Sequence, residues 1–278
     1  MKISFLGTGA AEGVPAIFCN CTYCTAIRKA GRAQFHTRSQ VLINDDLSVD
    51  FPPEAYAHSL DFGVDLSAVE NILVTHSHMD HFYAHDFILR GYKYSATPQK
   101  TLGIYADAEV LSVFRECTRR EMRDEVLKNI TLKELKPFTA HKIGKYKVLA
   151  LPAFHGTVED ALLYYIEEDG KGYLHLYDTG ALSGPAVDFL KENGAHANLI
   201  AFDCTFLDAP PRQPTRHMCV EDNMAILRYL KHMGVADGET KSVITHFSHN
   251  SNPTAERLKA IESEYGVIAA YDGMVVEI

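Results

Sequence analysis

The chain has 278 residues, 46% of them apolar, so it is long enough to bury a large core within one α/β domain. It carries 27 lysines and arginines against 36 aspartates and glutamates, and the resulting formal charge of −9 disfavours a broad nucleic-acid-binding face. The N-terminal apolar run is too short for a signal peptide, and no run approaches the ~18 apolar residues of a membrane span. We therefore expect a cytoplasmic protein.

The N-terminal segment predicts a strand over residues 2–6, closed by a Gly-Thr-Gly turn at residues 7–9. Three cysteines then follow in a C-x-C-x-x-C pattern, namely Cys19, Cys21 and Cys24. In a reducing compartment this spacing favours metal ligation over disulfide formation. A structural zinc takes four ligands, so a fourth would come from elsewhere in the chain. Three unlinked buried cysteines are the alternative interpretation.

Two short apolar runs, residues 40–44 and 47–50, predict a hairpin that ends at Asp50. The Asp50 carboxylate could orient a metal-bound histidine from behind. It could equally cap the segment that follows, and the sequence leaves both roles open.

The densest chemical signal comes directly after a predicted strand at residues 69–74. Here His76, His78, Asp80 and His81 form an H-x-H-x-D-H cluster. Two histidines two residues apart in an extended segment point the same way and could hold one metal, while Asp80 and His81 could face a second. Imidazole nitrogen and carboxylate oxygen suit Zn, Mn or Fe(II) and argue against an all-oxygen calcium site. A histidine-rich polar loop is the alternative.

Residues 91–140 give a weaker pattern, and we treat them as a candidate lid or insertion. An amphipathic helix is predicted around residues 115–123. Its arginines are expected on a solvated face, with phosphate binding as the alternative.

Metal-capable residues recur where later strands are predicted to end: His155 after residues 146–151, Asp178 after 173–177 and His246 after 241–245. The two-residue strand period places Asp178 on the same face as Leu174 and Leu176. Loops at one edge of an α/β sheet commonly hold its chemistry. We therefore expect these residues to share one site with the H-x-H-x-D-H cluster.

This order of motifs resembles the metallo-β-lactamase-fold hydrolases, and the resemblance implies a single domain over residues 1–278 with a four-layer αββα sandwich. It also implies two divalent metals in the active site, Mn or Zn, with Fe as a further candidate. The implied ligands of the first metal are His76, His78, His155 and Asp178. Those of the second are Asp80, His81, the shared Asp178 and His246.

The opening residues 5–15 and the cysteine loop are similar to a narrower group, the PhnP phosphodiesterases of the carbon–phosphorus lyase pathway. That likeness implies a structural zinc on Cys19, Cys21, Cys24 and His249. It also implies a small cyclic phosphodiester as substrate and a metal-bridged hydroxide as nucleophile, with Asp80 in the catalytic centre. His217, in the loop before a predicted helix at residues 220–231, would protonate the leaving group. A helix-capping or surface role for His217 is the alternative.

Three other functions remain open at this stage. A tRNA 3′-processing endonuclease shares the metal motifs but normally carries a basic arm, and a thioester or lactone hydrolase is compatible with the metal set. A non-catalytic metal-binding carrier is the alternative outside enzymes. We expect a small-molecule substrate rather than nucleic acid or a membrane, and the chain could assemble as a homodimer.

Overall fold

The computed structural model describes residues 1–96, 100–156, 161–211 and 216–278. The strands of these ranges are β1 Lys2–Gly7, β2 Gln40–Ile43, β3 Leu47–Val49, β4 Asn71–Leu73, β5 Leu102–Ala106, β6 Ile130–Glu134, β7 Thr139–Ile143, β8 Tyr146–Pro152, β9 Leu162–Glu168, β10 Lys171–Leu176, β11 Leu199–Asp203, β12 Lys241–Thr245, β13 Ile268–Ala269 and β14 Met274–Glu277. The α-helices are α1 Thr22–Ala30, α2 Ala55–Phe62, α3 Ala108–Thr118, α4 Asp124–Leu127, α5 Gly184–Glu192, α6 Val220–Met233 and α7 Ala255–Tyr265. Short 3₁₀ helices span Arg32–Gln34, Ala84–Leu89 and His249–Ser251.

The strands form two seven-stranded sheets, in the orders β14-β1-β2-β3-β4-β5-β6 and β13-β12-β11-β10-β9-β8-β7. One apolar core joins the two sheets, and it includes Phe5 and Val41 from the first and Val148 and Tyr164 from the second. Separate cores pack helices on the outer faces. The expected αββα sandwich is therefore confirmed.

Burial on both faces explains why the central strands read as continuous apolar runs rather than as alternating ones. In β8, Val148 and Ala150 face the core between the sheets, whereas Leu149 and Leu151 face the helices. The strands predicted from these runs agree with the observed ones to within a few residues. Among the described residues, no helix has the length and apolar character needed to cross a membrane.

The segment at residues 91–140, the candidate lid or insertion, contributes two strands and a helix to the sandwich. β5 and β6 continue the sheet in parallel beyond β4, and Val110 and Phe114 of α3 pack beneath it. β6 is an edge strand with exposed polar residues, so its sequence lacks a buried strand's signature. The helix expected around residues 115–123 also lies earlier in the chain and ends at Thr118. Residues 97–99 lie outside the described part.

The two sheets are joined where β1 and β12 end. The backbone N–H of Phe247 donates to the Thr8 carbonyl at 2.9 Å, and that of Ala10 donates to the Phe247 carbonyl at 3.0 Å. Gly9 also permits the backbone at His36 to lie close to this turn, because a Cβ built there would lie 2.5 Å from the His36 carbonyl oxygen. The Gly-Thr-Gly turn therefore brings the loop after β1 against the loop that carries His246.

Candidate metal centre

The metal-capable residues predicted from the sequence follow four different strands and meet at one edge of the sandwich. His76 comes after β4, His155 after β8, Asp178 after β10 and His246 after β12. Asp178 and His246 have left-handed backbone conformations, with φ of 52° and 61°. Such conformations are costly for residues other than glycine and persist where the surrounding structure enforces them. Here they turn the side chains out of the strand direction and into the site.

The first predicted ligand set is brought together by the structure. His78 Nδ1 lies 2.9 Å from His76 Nε2 and 3.2 Å from His155 Nε2. Asp178 Oδ2 lies 3.3 Å from His76 Nε2. Ligand atoms about 2.0–2.1 Å from a tetrahedral metal are separated by about 3.4 Å, so these atoms are spaced for one ion.

The residues of the second ligand set lie close to the same oxygen, Asp178 Oδ2. His81 Nε2 lies 3.2 Å from Asp80 Oδ2 and 3.2 Å from Asp178 Oδ2. His246 Nε2 lies 3.7 Å from Asp178 Oδ2. Because one oxygen of Asp178 lies within 3.3 Å of a nitrogen in each set, this residue would be the ligand shared by two ions.

The hydrogen-bonding state of the ligand atoms gives an independent test of whether metals fit. His81 Nε2, His246 Nε2 and Asp178 Oδ1 are buried and have no hydrogen-bond partner among the described residues. Their close neighbours lack hydrogen-bond geometry, and unpaired buried polar atoms are destabilising and uncommon. Divalent cations would satisfy these atoms, so the residues fit a binuclear centre.

Asp50 lies directly behind the second ligand set. Its Oδ2 is 2.7 Å from His81 Nδ1, and its Oδ1 accepts a hydrogen bond from the Thr75 backbone N–H at 2.8 Å. A proton held on Nδ1 by this carboxylate leaves Nε2 of His81 free to bind a metal. The alternative capping role does not apply, because Glu54 is the N-cap residue of α2.

We expect Asp50→Asn to weaken binding of the second active-site metal by about 10–100-fold, because an amide no longer fixes His81 in the metal-binding tautomer. Metal titration followed by calorimetry measures this change. The exposed Asp188→Asn on α5 is the matched control. Unchanged affinity in Asp50→Asn would show that Asp50 does not orient the histidine.

His217 lies beside the bridging aspartate and is held by a second carboxylate. Its Nδ1 is 3.0 Å from Asp178 Oδ1 and 2.9 Å from Asp203 Oδ2. Burial opposes the charged imidazole, but Asp203 and Asp178 outweigh it and raise the pKa of His217 to about 10. His217 is therefore held between two carboxylates beside the ligand sets, and the N-cap of α6 is Cys219 rather than His217.

Asp203 is a site residue to which the sequence interpretation gave no role. It is fully buried, and its Oδ1 accepts hydrogen bonds from the backbone N–H groups of Thr205 at 3.0 Å and Met218 at 3.1 Å. Asp203, His217, Asp178 and His246 also offer ligand atoms within 4.8 Å of one another. Its position at the end of β11, at the same edge as the other ligands, was the available sequence signal.

The cysteine loop forms a separate cluster with His249. Ligand atoms of Cys19, Cys21, Cys24 and His249 all lie within 4.8 Å of one another, and Cys24 Sγ is 3.4 Å from His249 Nδ1. The backbone N–H of Cys24 donates to Cys21 Sγ and, with His249, lowers the pKa of that thiol to about 6. Three sulfurs and one imidazole match a closed zinc site. His249 lies where the predicted fourth ligand would be.

We expect Cys24→Ser to remove the structural zinc and to lower the melting temperature by at least about 5 °C, because zinc binding stabilises the folded chain. Zinc content and thermal unfolding measure both effects. Cys117→Ser, on α3 and away from the cluster, is the control. Equal zinc content and stability in Cys24→Ser would contradict a structural role.

A cleft of about 400 Å³ opens over the two active-site ligand sets. Its walls come from the loops after β1, β4, β8, β10, β11 and β12, and they include the ligands His78, Asp80, His155, Asp178 and His246 together with His217. Beyond them the lining continues through Ala10, Ala11, Glu12, Thr205, Phe206, Arg216, Ser248, Asn250 and Ser251. This volume lies in the range of small-molecule sites.

Sequence comparison gives the family. Residues 51–247 match the Beta-lactamase superfamily domain. The chain belongs to the beta-lactamase superfamily of metal-dependent hydrolases. The matched segment contains both predicted active-site ligand sets and His217.

The individual proteins that resemble this chain have low sequence identity to it. The chain is 19% identical to a diphosphatase from the PhnP family, with a TM-score of 0.71 over 100% of this chain and 98% of that one. It is 18% identical to the short form of human tRNase Z, with a TM-score of 0.69 over 100% of this chain and 99% of that one. A curated octanoyltransferase from Porphyromonas gingivalis (strain ATCC BAA-308 / W83) is 23% identical over 99% of this chain. The chain spans only 51% of the length of that relative.

Proposed function

We propose that the protein is a binuclear metal-dependent phosphodiesterase that acts on a small cyclic phosphodiester. The observation that supports this best is the position of His217, which shares the cleft with both ligand sets and contacts the bridging Asp178. An alkoxide is a poor leaving group and needs a proton as the ester bond breaks, and a positioned imidazolium can supply it. A thiolate leaves readily without that proton, so this arrangement favours oxygen esters of phosphate over thioesters.

The ligand residues have distinct roles in this reaction. When bound, the two divalent ions would supply Lewis acidity to a water and to the phosphoryl oxygens. Asp178 holds the two ligand sets in register, and Asp50 fixes the orientation of His81. Asp80 completes the second set, and Asp203 holds His217 against the cleft with its proton available for the departing oxygen.

The shape and charge of the site support a small substrate. A cleft of about 400 Å³ accommodates a sugar phosphate, and Glu12 adds a carboxylate to its wall. With a formal charge of −9, the chain offers little long-range attraction for a tRNA. These features favour a metabolite-sized phosphodiester over the endonuclease alternative.

A thioester hydrolase is the second candidate, and one observation favours it. The curated relative is an octanoyltransferase, an enzyme that transfers an acyl group. Acyl-group chemistry in a related chain makes an octanoyl thioester a necessary member of any substrate panel.

The test is hydrolysis of such a panel by protein loaded with Mn²⁺ or Zn²⁺. The panel contains phosphoribosyl 1,2-cyclic phosphate, 2′,3′-cyclic nucleotides, bis-nitrophenyl phosphate, a precursor tRNA, an octanoyl thioester and a β-lactam. We expect the small cyclic phosphates to be cleaved with the highest kcat/KM. Activity confined to the thioester or the lactam would refute the phosphodiesterase, and metal binding without any turnover would support a non-catalytic carrier.

A further inference from the structure

Among the described residues that line the cleft, Glu12 provides a carboxylate that neither the ligand sets nor the proton donor uses. Glu12 lies in the loop after β1, and its side chain is 30% exposed where it lines the cleft. It belongs to neither active-site ligand set nor the cysteine cluster. A carboxylate is unexpected in a cleft proposed to bind a phosphate ester, because the negative charges of the two groups repel each other.

The Glu12 carboxylate is held in place by the loop that carries the metal ligands. Ser248 lies between His246 and His249, is only 4% exposed and donates a hydrogen bond from Oγ to Glu12 Oε1 at 2.5 Å. The same Oγ accepts the backbone N–H of Asn250 at 3.2 Å. His249 Nε2 lies 3.9 Å from Glu12 Oε1.

The backbone on both sides of Glu12 is also fixed. The Ala11 carbonyl accepts a hydrogen bond from Arg38 Nε at 2.9 Å, and the Gly13 N–H donates to the Ala10 carbonyl at 2.8 Å. Val14 and His36 then exchange two backbone hydrogen bonds, each of 2.8 Å. Glu12 is therefore a preorganised acceptor rather than a mobile surface acid.

We propose that Glu12 selects the substrate by accepting a hydrogen bond from a free sugar hydroxyl and by rejecting a second phosphate at that position. The inference rests on the proposed phosphodiesterase function and names its substrate class, a cyclic phosphodiester of a sugar without a further phosphate group. An ionised carboxylate only accepts hydrogen bonds, so it pairs with a hydroxyl. A phosphate there would bring two negative charges together in a partly enclosed cleft.

Arg216 offers an alternative, in which the cleft binds a second phosphate of the substrate. It lines the same cleft next to His217, and a second phosphate bound to Arg216 would be favoured rather than rejected. The two arrangements predict opposite preferences for one pair of substrates. These are ribose 1,2-cyclic phosphate and phosphoribosyl 1,2-cyclic phosphate, which differ by a single phosphate on the 5-hydroxyl.

The experiment measures kcat/KM for this pair with the metal-loaded wild type and with Glu12→Gln. We expect the wild type to prefer the unphosphorylated sugar by at least about tenfold. Glutamine keeps an acceptor for Ser248 but loses the charge, so Glu12→Gln should reduce the preference to within about threefold, mainly by gaining activity on the phosphorylated substrate. The wild-type preference should also weaken as ionic strength rises.

Controls separate this effect from a loss of fold or of chemistry. Metal content and the melting temperature should be the same in Glu12→Gln as in the wild type, because Glu12 belongs to neither active-site ligand set. Glu239→Gln, an exposed residue outside the cleft, should leave the substrate preference unchanged.

A wild-type preference for the phosphorylated sugar, or an unchanged preference in Glu12→Gln, would overturn the inference and leave the phosphodiesterase standing. Failure of the wild type to cleave any phosphodiester would overturn the proposed function and the inference with it.

Discussion

Replacement of Asp178 is expected to abolish turnover, with a fall in kcat/KM of at least about 10³-fold. One oxygen of this carboxylate lies 3.3 Å from His76 Nε2 and 3.2 Å from His81 Nε2, so each ligand set loses a member when the residue is changed. Asp178→Ala removes the carboxylate completely. Asp178→Asn is the sharper variant, since asparagine tolerates the left-handed backbone at φ 52° and keeps the shape of the side chain.

Two readouts check this prediction. Metal analysis of dialysed Asp178→Asn should show less bound active-site metal than the wild type. Steady-state kinetics at saturating metal should show the loss of kcat/KM. The zinc on the cysteine cluster should remain, because none of its four residues changes. Asp188→Asn is the control. Wild-type metal content and near-normal activity in Asp178→Asn would exclude the bridging role.

Removal of the proton donor should produce the second large effect, and its size should depend on the leaving group. We expect His217→Ala to lower kcat by about 10²–10⁴-fold for an alkyl phosphodiester such as a cyclic sugar phosphate. The effect should fall below about tenfold for bis-nitrophenyl phosphate, because the nitrophenolate leaves without a proton. A purely structural role would lower both rates together.

Asp203 provides a further test of the same arrangement. It is a positioning residue, since it acts through His217 Nδ1 at 2.9 Å and is itself fully buried. Asp203→Asn should therefore show the same dependence on leaving group as His217→Ala, to a smaller extent. His196→Ala, whose side chain is 43% exposed and pairs with Asp237, is the control. Equal losses on both substrates would show that Asp203 acts mainly through His246, whose Nδ1 lies 3.4 Å from Asp203 Oδ2, rather than through His217.

Much of the first sheet and of the candidate site could be predicted locally. The hairpin β2–β3 and the strand before His76 are short apolar runs bounded by turn residues, a pattern set by nearest neighbours in the chain. β6 could not be predicted in this way. It lies at the edge of its sheet with three of its five residues exposed, and its place is decided by pairing with β5 rather than by its own pattern.

Strand periodicity does not predict the direction of the Asp178 side chain. The two-residue period predicts that Asp178 shares one face of the strand with Leu174 and Leu176. These leucines, however, pack against the helices on the outer face of the sheet. β10 ends at Leu176, and the left-handed turn at Asp178 points its carboxylate into the metal centre. Alternation holds only while the backbone stays extended, and the sequence does not reveal a left-handed residue other than glycine.

The sequence by itself determined which types of residue could bind metal and their order in the chain. The H-x-H-x-D-H and C-x-C-x-x-C motifs each place several metal ligands within six residues. The family resemblance named the distant members of each set, and the tertiary structure brings them together, as with His249 and the cysteines. Only the tertiary structure brings Asp203 to His217 and Glu12 to Ser248. These contacts depend on strands that are far apart in the chain but neighbours at one sheet edge, and local propensity carries no information about such pairing.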